Sequence, residues 1–277
     1  MQFNNIQEEH NQVMDIIEVQ DPDDVASIVP VIKSAWGLTD MGQIVKDIAV
    51  AMNFHGGLVL LARDGDKVVG MLFGFPGRFG SRSYLYSHMT GVVNEKKYSG
   101  IGQKLKLRQR EWALSRGYDL VCWTFDPLMS LNGNLNIGKL GGIARSFIPN
   151  FYGNMEDSLN RGNYTDRVVC EWWIKAGERT HNTASETYNP LSLVENLSSI
   201  MERKNPFLLQ IPEDYLGIKK ENPERAKSLR MGYRDVFRKI FNGGYVLAGF
   251  DRRNSAYIVV EGDHLSGKIG EPVFPVR

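Results

Sequence analysis

Two glycines lie where an apolar strand-like run gives way to a helical one. Residues 92–113 are VVNEKKYSGIGQKLKLRQREWA, with Gly100-Ile101-Gly102 at the change of pattern. Glycine lets a backbone approach a ligand closely, and the first N–H groups of a helix are unpaired and carry partial positive charge. A strand, a Gly-x-Gly turn and a helix N-terminus together predict a cradle for an anion, with phosphate the usual occupant.

This loop departs from the two commonest phosphate motifs. A Walker loop needs Gly-Lys-Ser/Thr, but Gln103 follows the second glycine, and a dinucleotide fingerprint needs a third glycine where Leu105 stands. A connecting turn with two incidental glycines is the structural alternative. Lys97, Lys104 and Lys106 add positive charge around the loop.

Groups that could move protons lie on either side of the loop. His88, in the preceding strand, is the first candidate for a general base because imidazole titrates near neutral pH. Tyr152, in PNFYG, is the candidate acid. The structural alternatives are a satisfied core histidine and a packing tyrosine, and a solvated charge is expected for Glu95. Asp126 could orient a cationic acceptor or cap a short helix.

Apolar periodicity and turn residues predict the elements that hold these groups. A strand (MDIIEVQ) precedes two helices, of which Pro30 should interrupt the first, and Ile44, Ile48 and Ala51 give the second an apolar face. A hairpin around Asp64-Gly65 and a strand at 83–94 lead to the glycine loop and its helix. The strand GYDLVCWTF, a short helix ending in glycine, and the strands IARSFIPNFYG and TDRVVCEWWI follow.

This order of elements resembles the GNAT N-acetyltransferase superfamily over about residues 14 to 175. The family signature Gln/Arg-x-x-Gly-x-Gly/Ala corresponds to residues 97–102, KYSGIG, where lysine replaces the first residue. Lys139-Leu140-Gly141 matches the Lys-Leu-Gly that commonly ends a later segment. In a typical member a tyrosine two residues before it can act as general acid, and Ile137 stands there instead.

The resemblance implies an α/β (α+β) fold with a mixed, mostly antiparallel central sheet flanked by helices. It also implies acetyl-CoA as co-substrate, with no metal. The pyrophosphate would rest on the amides of the loop, the N–H of Val93 would polarise the thioester carbonyl, and the pantetheine arm would pair with the edge of the same strand. The residues implied in cofactor binding are Val92, Val93, Lys97, Tyr98, Ser99, Gly100, Ile101, Gly102, Gln103 and Asn132.

Composition limits the class of protein and of partner. The 277 residues are 42% hydrophobic and 23% charged, with a net charge of +1, so no global field favours nucleic acid or an anionic membrane. The polar N-terminus has no signal-peptide core and no apolar run approaches a membrane span, so we expect a cytoplasmic protein. Cys122 and Cys170 lie in strand-like runs and are expected to be reduced core thiols.

The rest of the chain exceeds what a minimal GNAT domain needs. We predict a polar tail at 1–13, the acyl-CoA-binding domain at 14–175, a linker or long loop at 176–192 and a C-terminal αβ extension at 193–277. The extension could be a degenerate half-repeat that lengthens the sheet or walls the acceptor site. The basic residues of its long helix 223–242, among them Arg230 and Arg234, are expected to form a solvated face.

Three functions are compatible with the sequence. The first is an acyltransferase that moves an acetyl group from acetyl-CoA to an amine, on a small molecule or a peptide, in a chain that could form a homodimer. The second is a catalytically inactive acyl-CoA-binding or regulatory module of the same fold, suggested by Ile137 and by Lys97-Tyr98. The third is an unrelated protein that binds another phosphate ligand.

Overall fold

The structure, a computed structural model, describes residues 14–37, 42–155, 157, 159–176, 184, 186–265, 269–270 and 274. The predicted tail at 1–13 lies outside these residues, as do 177–183 and 185 of the predicted linker, whereas the rest of that linker includes a strand at Thr187–Tyr188 and the start of a helix at Pro190. The strands are β1 (Met14–Glu18), β2 (Leu58–Asp64), β3 (Lys67–Phe79), β4 (Arg82–Val92), β5 (Leu120–Phe125), β6 (Ile143–Ile148), β7 (Arg167–Trp173), β8 (Thr187–Tyr188), β9 (Phe207–Gln210), β10 (Tyr245–Asp251) and β11 (Ala256–Glu261). The α-helices are α1 (Pro22–Ala26), α2 (Ile28–Trp36), α3 (Gly42–Phe54), α4 (Ile101–Ser115), α5 (Ser130–Gly133), α6 (Pro190–Glu202), α7 (Tyr215–Glu221) and α8 (Pro223–Asn242).

All the described strands belong to one sheet of eleven. Their order is β1-β2-β3-β4-β5-β7-β6-β10-β11-β9-β8. Only the β4–β5 and β8–β9 pairs are parallel, and the others are antiparallel. The mixed, mostly antiparallel sheet implied by the resemblance is therefore confirmed. The sheet continues across the predicted domain boundary, because β6 pairs with β10 at Ala144 and Leu247.

Helices cover both faces of the sheet. Alternate residues of β2 point to opposite sides, so Leu58 and Leu60 pack in one core cluster with α4 while Val59 and Leu61 pack in another with α1, α2 and α3. Helix α8 belongs to the same cluster as α4, through side chains such as Phe237. The face opposite α4 is therefore covered by α1–α3 at the N-terminal end of the sheet.

Local sequence accounts for the helix boundaries near the N-terminus. The side chain of Asp21 accepts a hydrogen bond from the amide of Asp23 at 2.8 Å, and Pro22 occupies the first helical position. The helix is interrupted between α1 and α2, but at Ser27 and not at the predicted Pro30. Pro30 itself lies in the first turn of α2, where its missing N–H removes no helical hydrogen bond.

The apolar face predicted for α3 is wrong. Ile44 and Ile48 are 50% and 44% exposed, and Ala51 is exposed as well. Ala49 is the fully buried side chain, so a different side of α3 meets the sheet. No helix within the described residues is long and apolar enough to cross a membrane.

Candidate active site

The parallel strands β4 and β5 form a fork. They pair only at Leu85–Val121 and Tyr86–Cys122, although β4 continues to Val92 and β5 to Phe125. Beyond these two pairs, β4 and β5 are not hydrogen-bonded to each other. An extended ligand can therefore pair with the open edge of β4.

The glycine loop lies at the wide end of the fork. A 3₁₀ turn at Lys96–Tyr98 leads to Gly100, which has a φ of 90° and precedes α4. Only glycine adopts this conformation without strain. A Cβ on Gly100 would have no heavy atom within 4 Å, so the space beside it is open.

The N-terminus of α4 has amides without partners. No side chain caps the helix, and the amides of Gln103 and Lys104 both donate to the Gly100 carbonyl, at 3.1 and 3.2 Å. Among the described residues, the amides of Gly100, Ile101 and Gly102 have no hydrogen-bond partner. Together with the positive end of the helix dipole, these three donors fit a phosphate group.

Neighbouring side chains hold the loop in place. Tyr98 is 3% exposed, and its hydroxyl donates to the Asp64 carboxylate at 2.8 Å. The Lys97 ammonium lies 3.6 Å from the same carboxylate and 4.6 Å from the centre of the Tyr98 ring. The hydrogen bond with the Tyr98 hydroxyl and the nearby carboxylates raise the pKa of Lys97. Tyr98 therefore positions the loop, whereas Lys97 and Ser99 are exposed beside the cradle.

The structure corrects the role predicted for Val93. Its amide donates to the Val69 carbonyl of β3 at 2.9 Å, so it faces away from the fork. Val92 pairs with Gly70 in the next register position. Because N–H groups alternate along a strand, the amide of Val92 is directed toward the open edge. Val92, and not Val93, is therefore in position to donate to an extended ligand at this end of the fork.

A β-bulge places His88 on the face of the sheet that carries α1–α3. The register shifts between Phe73–Met89 and Gly74–Ser87, so His88 is the extra residue of β4. Its ring lies 5.1 Å from the ring of Phe73, and Phe75 and Tyr86 also flank it. The surrounding rings lower the pKa of His88 by desolvation, although its side chain stays accessible on the surface.

Hydroxyl groups gather on the same face. The Tyr152 hydroxyl lies 3.2 Å from that of Thr124 on β5, and Tyr152 is 40% exposed. Tyr86 interacts with both hydroxyls, and burial raises its pKa. Since Tyr86 also lies beside His88, with 6.0 Å between ring centroids, the structure brings the two predicted catalytic residues to one side of the fork.

The segment after β5 is held by the C-terminal strands. A Cβ on Gly133 would lie 2.7 Å from the Phe250 ring and 2.8 Å from the Tyr257 hydroxyl. Asn132, the predicted contact next to it, is half-buried in α5. Ile137, in the π-helical turn that follows, is fully buried and has no exposed surface to offer a ligand.

Two of the four arginines of α8 do not lie on the solvated face that the sequence predicts. Arg230 is 3% exposed and makes two hydrogen bonds to Asp126, at 3.0 and 2.6 Å. Arg234 binds Asp166 in the same way, at 3.0 and 2.7 Å. Asp126 also accepts from the amide of Leu128, so its capping and pairing roles leave it unsuited to orient an acceptor.

Sequence reasoning treated Lys106 as one of several local charges, but the structure buries it. It is 4% exposed, and its Nζ donates to the Ser87 hydroxyl at 2.8 Å beneath the fork. The helical spacing of Leu105, Lys106 and Gln109 on α4 was the available signal, because it places the lysine on the side that faces the sheet. Cys122 and Cys170 are buried and form no disulfide, as expected.

Comparison with known proteins gives structural similarity only. No family model matches the chain, and no curated protein matches it. The chain is similar to an aminoglycoside 6'-N-acetyltransferase from Enterococcus faecium (16% identity, 61% of this chain, 100% of that one, TM-score 0.44). It is also similar to a GNAT family acetyltransferase from Elizabethkingia anophelis with acetyl-CoA bound (16% identity, 58% of this chain, 97% of that one, TM-score 0.43). A third similar structure is a GNAT family acetyltransferase from Brucella melitensis in complex with acetyl-CoA (22% identity, 42% of this chain, 77% of that one, TM-score 0.36).

The topology is the one that the sequence resemblance implies. The mixed sheet of β1 to β7 opens between β4 and β5, and the glycine turn and α4 connect these two strands, which is a GNAT-like arrangement.

Proposed function

We propose that this chain is an acyltransferase that moves the acetyl group of acetyl-CoA directly to an amine. One observation carries the proposal: three unpartnered amides at the start of α4 lie at the open end of a strand whose free edge runs into a fork. An anionic group followed by a long, amide-bearing arm is complementary to this arrangement.

The binding roles follow from these positions. The amides of Gly100, Ile101 and Gly102 hold the pyrophosphate of coenzyme A, with Lys97 supplying positive charge from the side. The pantetheine arm extends along β4 from Val92 toward the paired part of the fork. Asn132, across the fork on α5, is a further candidate contact.

The chemistry needs a neutral amine, a donor for the oxyanion and a proton for the leaving thiolate. The acceptor nitrogen attacks the thioester carbonyl carbon, and the carbon–sulfur bond breaks. His88 takes the proton from the acceptor, since its lowered pKa keeps the imidazole neutral at pH 7. The Val92 amide pairs with the pantetheine arm near the cradle in place of Val93, and Tyr152 is the predicted acid on the same side as His88.

The acceptor is an amine on a small molecule or a peptide that enters over the face carrying His88. Aromatic rings of Phe75 and Tyr86 flank this entrance and suit an acceptor with an apolar part. The proposal places the enzyme in the cytoplasm, where acetyl-CoA is available, and involves neither nucleic acid nor a membrane. A homodimer is compatible with it.

An amine panel tests this function. The purified protein is incubated with acetyl-CoA and small amines, amino acids, aminoglycosides and lysine peptides, and free thiol and acetylated product are measured together. We expect at least one acceptor to give equal amounts of thiol and product. Tight binding of acetyl-CoA with no product across the panel would instead support the inactive acyl-CoA-binding module.

A further inference from the structure

A buried polar cluster lies at the apex of the fork. The Lys106 ammonium of α4 donates to the hydroxyl of Ser87 on β4 at 2.8 Å and lies 3.7 Å above the ring centre of Trp123 on β5. Ser87 and Trp123 directly follow the last paired residues of their strands, Tyr86 and Cys122. Lys106 therefore reaches the point at which the two strands separate.

Several polar atoms of this cluster have no partner. In the described part of the chain, both amide atoms of Gln109 and the indole nitrogen of Trp123 are buried without a hydrogen bond. Gln109 is one helical turn from Lys106 and lies against the bulge, since a Cβ on Gly74 would be 3.2 Å from its Nε2. Buried unpaired groups are rare in native proteins and indicate a missing water or ligand.

The ammonium of Lys106 also lacks a counter-charge. It takes part in none of the ion pairs that the described residues form, and Ser87 and Trp123 carry no charge. Within the described part of the chain, Cys170 on β7 is the one titratable group whose charge acts on it, and it raises the pKa. Burial lowers the pKa of Lys106 to about 7, so the amine gains and loses a proton near neutral pH.

The length of the pantetheine arm matches the distance from the cradle to this cluster. About twelve bonds separate the phosphate oxygen of the arm from its sulfur, which equals four residues of extended chain or about 14 Å. Val92 and Ser87 pair with Gly70 and Gly74, which are four residues apart because His88 is an extra residue of β4, so at ~3.3 Å per residue about 13 Å separates them. An arm that starts at the glycine loop and follows β4 brings its sulfur close to the apex.

We propose that Lys106 is the catalytic acid that protonates the sulfur of coenzyme A as it leaves. This inference rests on the proposed function and assigns the acid role to Lys106 in place of Tyr152, which lies on the other face of the sheet, and of the buried Ile137. As the acceptor nitrogen bonds to the carbonyl carbon, the carbon–sulfur electron pair moves to sulfur and an Nζ proton of Lys106 moves to that sulfur. His88 takes the proton that the acceptor nitrogen loses, and Lys106 regains a proton from solvent once the product has left, so one proton passes in total from nitrogen to sulfur.

The thiol of bound coenzyme A reports on this contact without any acceptor. An ammonium beside sulfur favours the thiolate, so we expect the pKa of the bound thiol to lie at least one unit below that of a free thiol, about 8.5. Ultraviolet absorbance of the thiolate is titrated in complexes with coenzyme A, using the desulfo analogue as the blank. Lys106→Met should return the thiol pKa to the free value or above, whereas Lys104→Met removes an exposed charge from the same helix and should leave it unchanged.

The outcomes separate the two proposals. If the wild-type protein does not bind coenzyme A at all, the proposed function fails. If it binds and its thiol titrates as in free solution, or if Lys106→Met binds and titrates like the wild type, the role of Lys106 is wrong. Should Lys106→Met fail to fold, the titration of the wild-type complex alone decides.

Once an acceptor is known, Lys106→Arg should lose 10²-fold or more in kcat while KM for acetyl-CoA changes little, because arginine keeps the charge but does not release its proton.

Discussion

His88 gives the clearest prediction at the scale of single residues. It is neutral at pH 7 because its pKa is lowered, so as a general base it should lose activity only as the pH falls through that lowered value. His88→Gln should reduce kcat by roughly 10²- to 10⁴-fold without weakening acetyl-CoA binding, and should abolish the acidic limb of the pH–rate profile. Steady-state kinetics against pH measure both effects.

His55 provides the matched control for this substitution. It is an exposed histidine just after α3, and its ring contacts Phe54 and none of the rings that flank His88. His55→Gln should leave kcat and the pH profile unchanged. A His88→Gln enzyme with normal kcat and an intact acidic limb would show that this histidine only packs in the bulge.

Burial of Lys106 should reduce the stability of the protein. Its pKa is about 7 in the folded chain and ~10.4 when unfolded, so between these values the unfolded state holds more protons and stability rises with pH. Below pH 7 the folded protein bears the whole free-energy cost of burying the charged ammonium. Lys106→Met should therefore stabilise the fold by roughly 2–4 kcal/mol at pH 6 and by less at pH 9.

Urea denaturation at the two pH values measures this difference. The exposed Lys104→Met variant should show no comparable gain at either pH. A Lys106→Met protein that is less stable than the wild type at pH 6 would mean that the ammonium has a compensating partner.

At the scale of elements, the paired arginines attach α8 to the loops beside the fork. Arg230 is buried in a bidentate pair with Asp126, so Arg230→Met leaves a carboxylate without its partner and should destabilise the protein by ~3–5 kcal/mol. Arg225 is exposed on the same helix, and Arg225→Met should change stability by less than ~0.5 kcal/mol. Chemical denaturation of both variants tests this, and equal stabilities would contradict it.

Elements were predictable from the sequence where local chemistry decides them. The hairpin turn at Gly65, the cap at Asn222 with Pro223, and the glycine at position 100 each follow from residue type. The exposed face of α3 was not predictable, because two faces of that helix carry apolar residues and only the tertiary packing selects Ala49. The burial of Arg230 depends on Asp126, which is distant in sequence, so helical periodicity alone indicates a charged surface.

The candidate site was also predictable from the sequence only in part. The cradle and the position of His88 follow from the chain order of strand, loop and helix. The direction of the Val93 amide depends on the register of β3 against β4, which composition does not specify. The environment of Lys106 depends on where β4 and β5 cease to pair, a property of the assembled sheet.

At the scale of the whole molecule, the continuous sheet predicts that the C-terminal extension is required for folding. Without it, β6 loses its neighbour β10, and Gly133 loses the contacts of Phe250 and Tyr257. A chain ending at residue 175 should show no cooperative thermal transition by circular dichroism and should not bind acetyl-CoA. A fragment that melts cooperatively and binds acetyl-CoA would show instead that residues 14–175 are an independent domain.

Binding of the pyrophosphate of acetyl-CoA by the amides before α4 is tested by a thermal-shift titration of three proteins. Gly100→Ala and Gly117→Ala both place a methyl group in open space at a positive φ, of 90° and 83°, at opposite ends of α4. The acetyl-CoA concentration is fixed at 100 times the Kd of the wild type. It should stabilise the wild type and Gly117→Ala by ~2.7 kcal/mol and Gly100→Ala by much less, while ATP and NAD have little effect. Stabilisation by the nucleotides but not by acetyl-CoA, or equal stabilisation of the two glycine variants, would contradict the account.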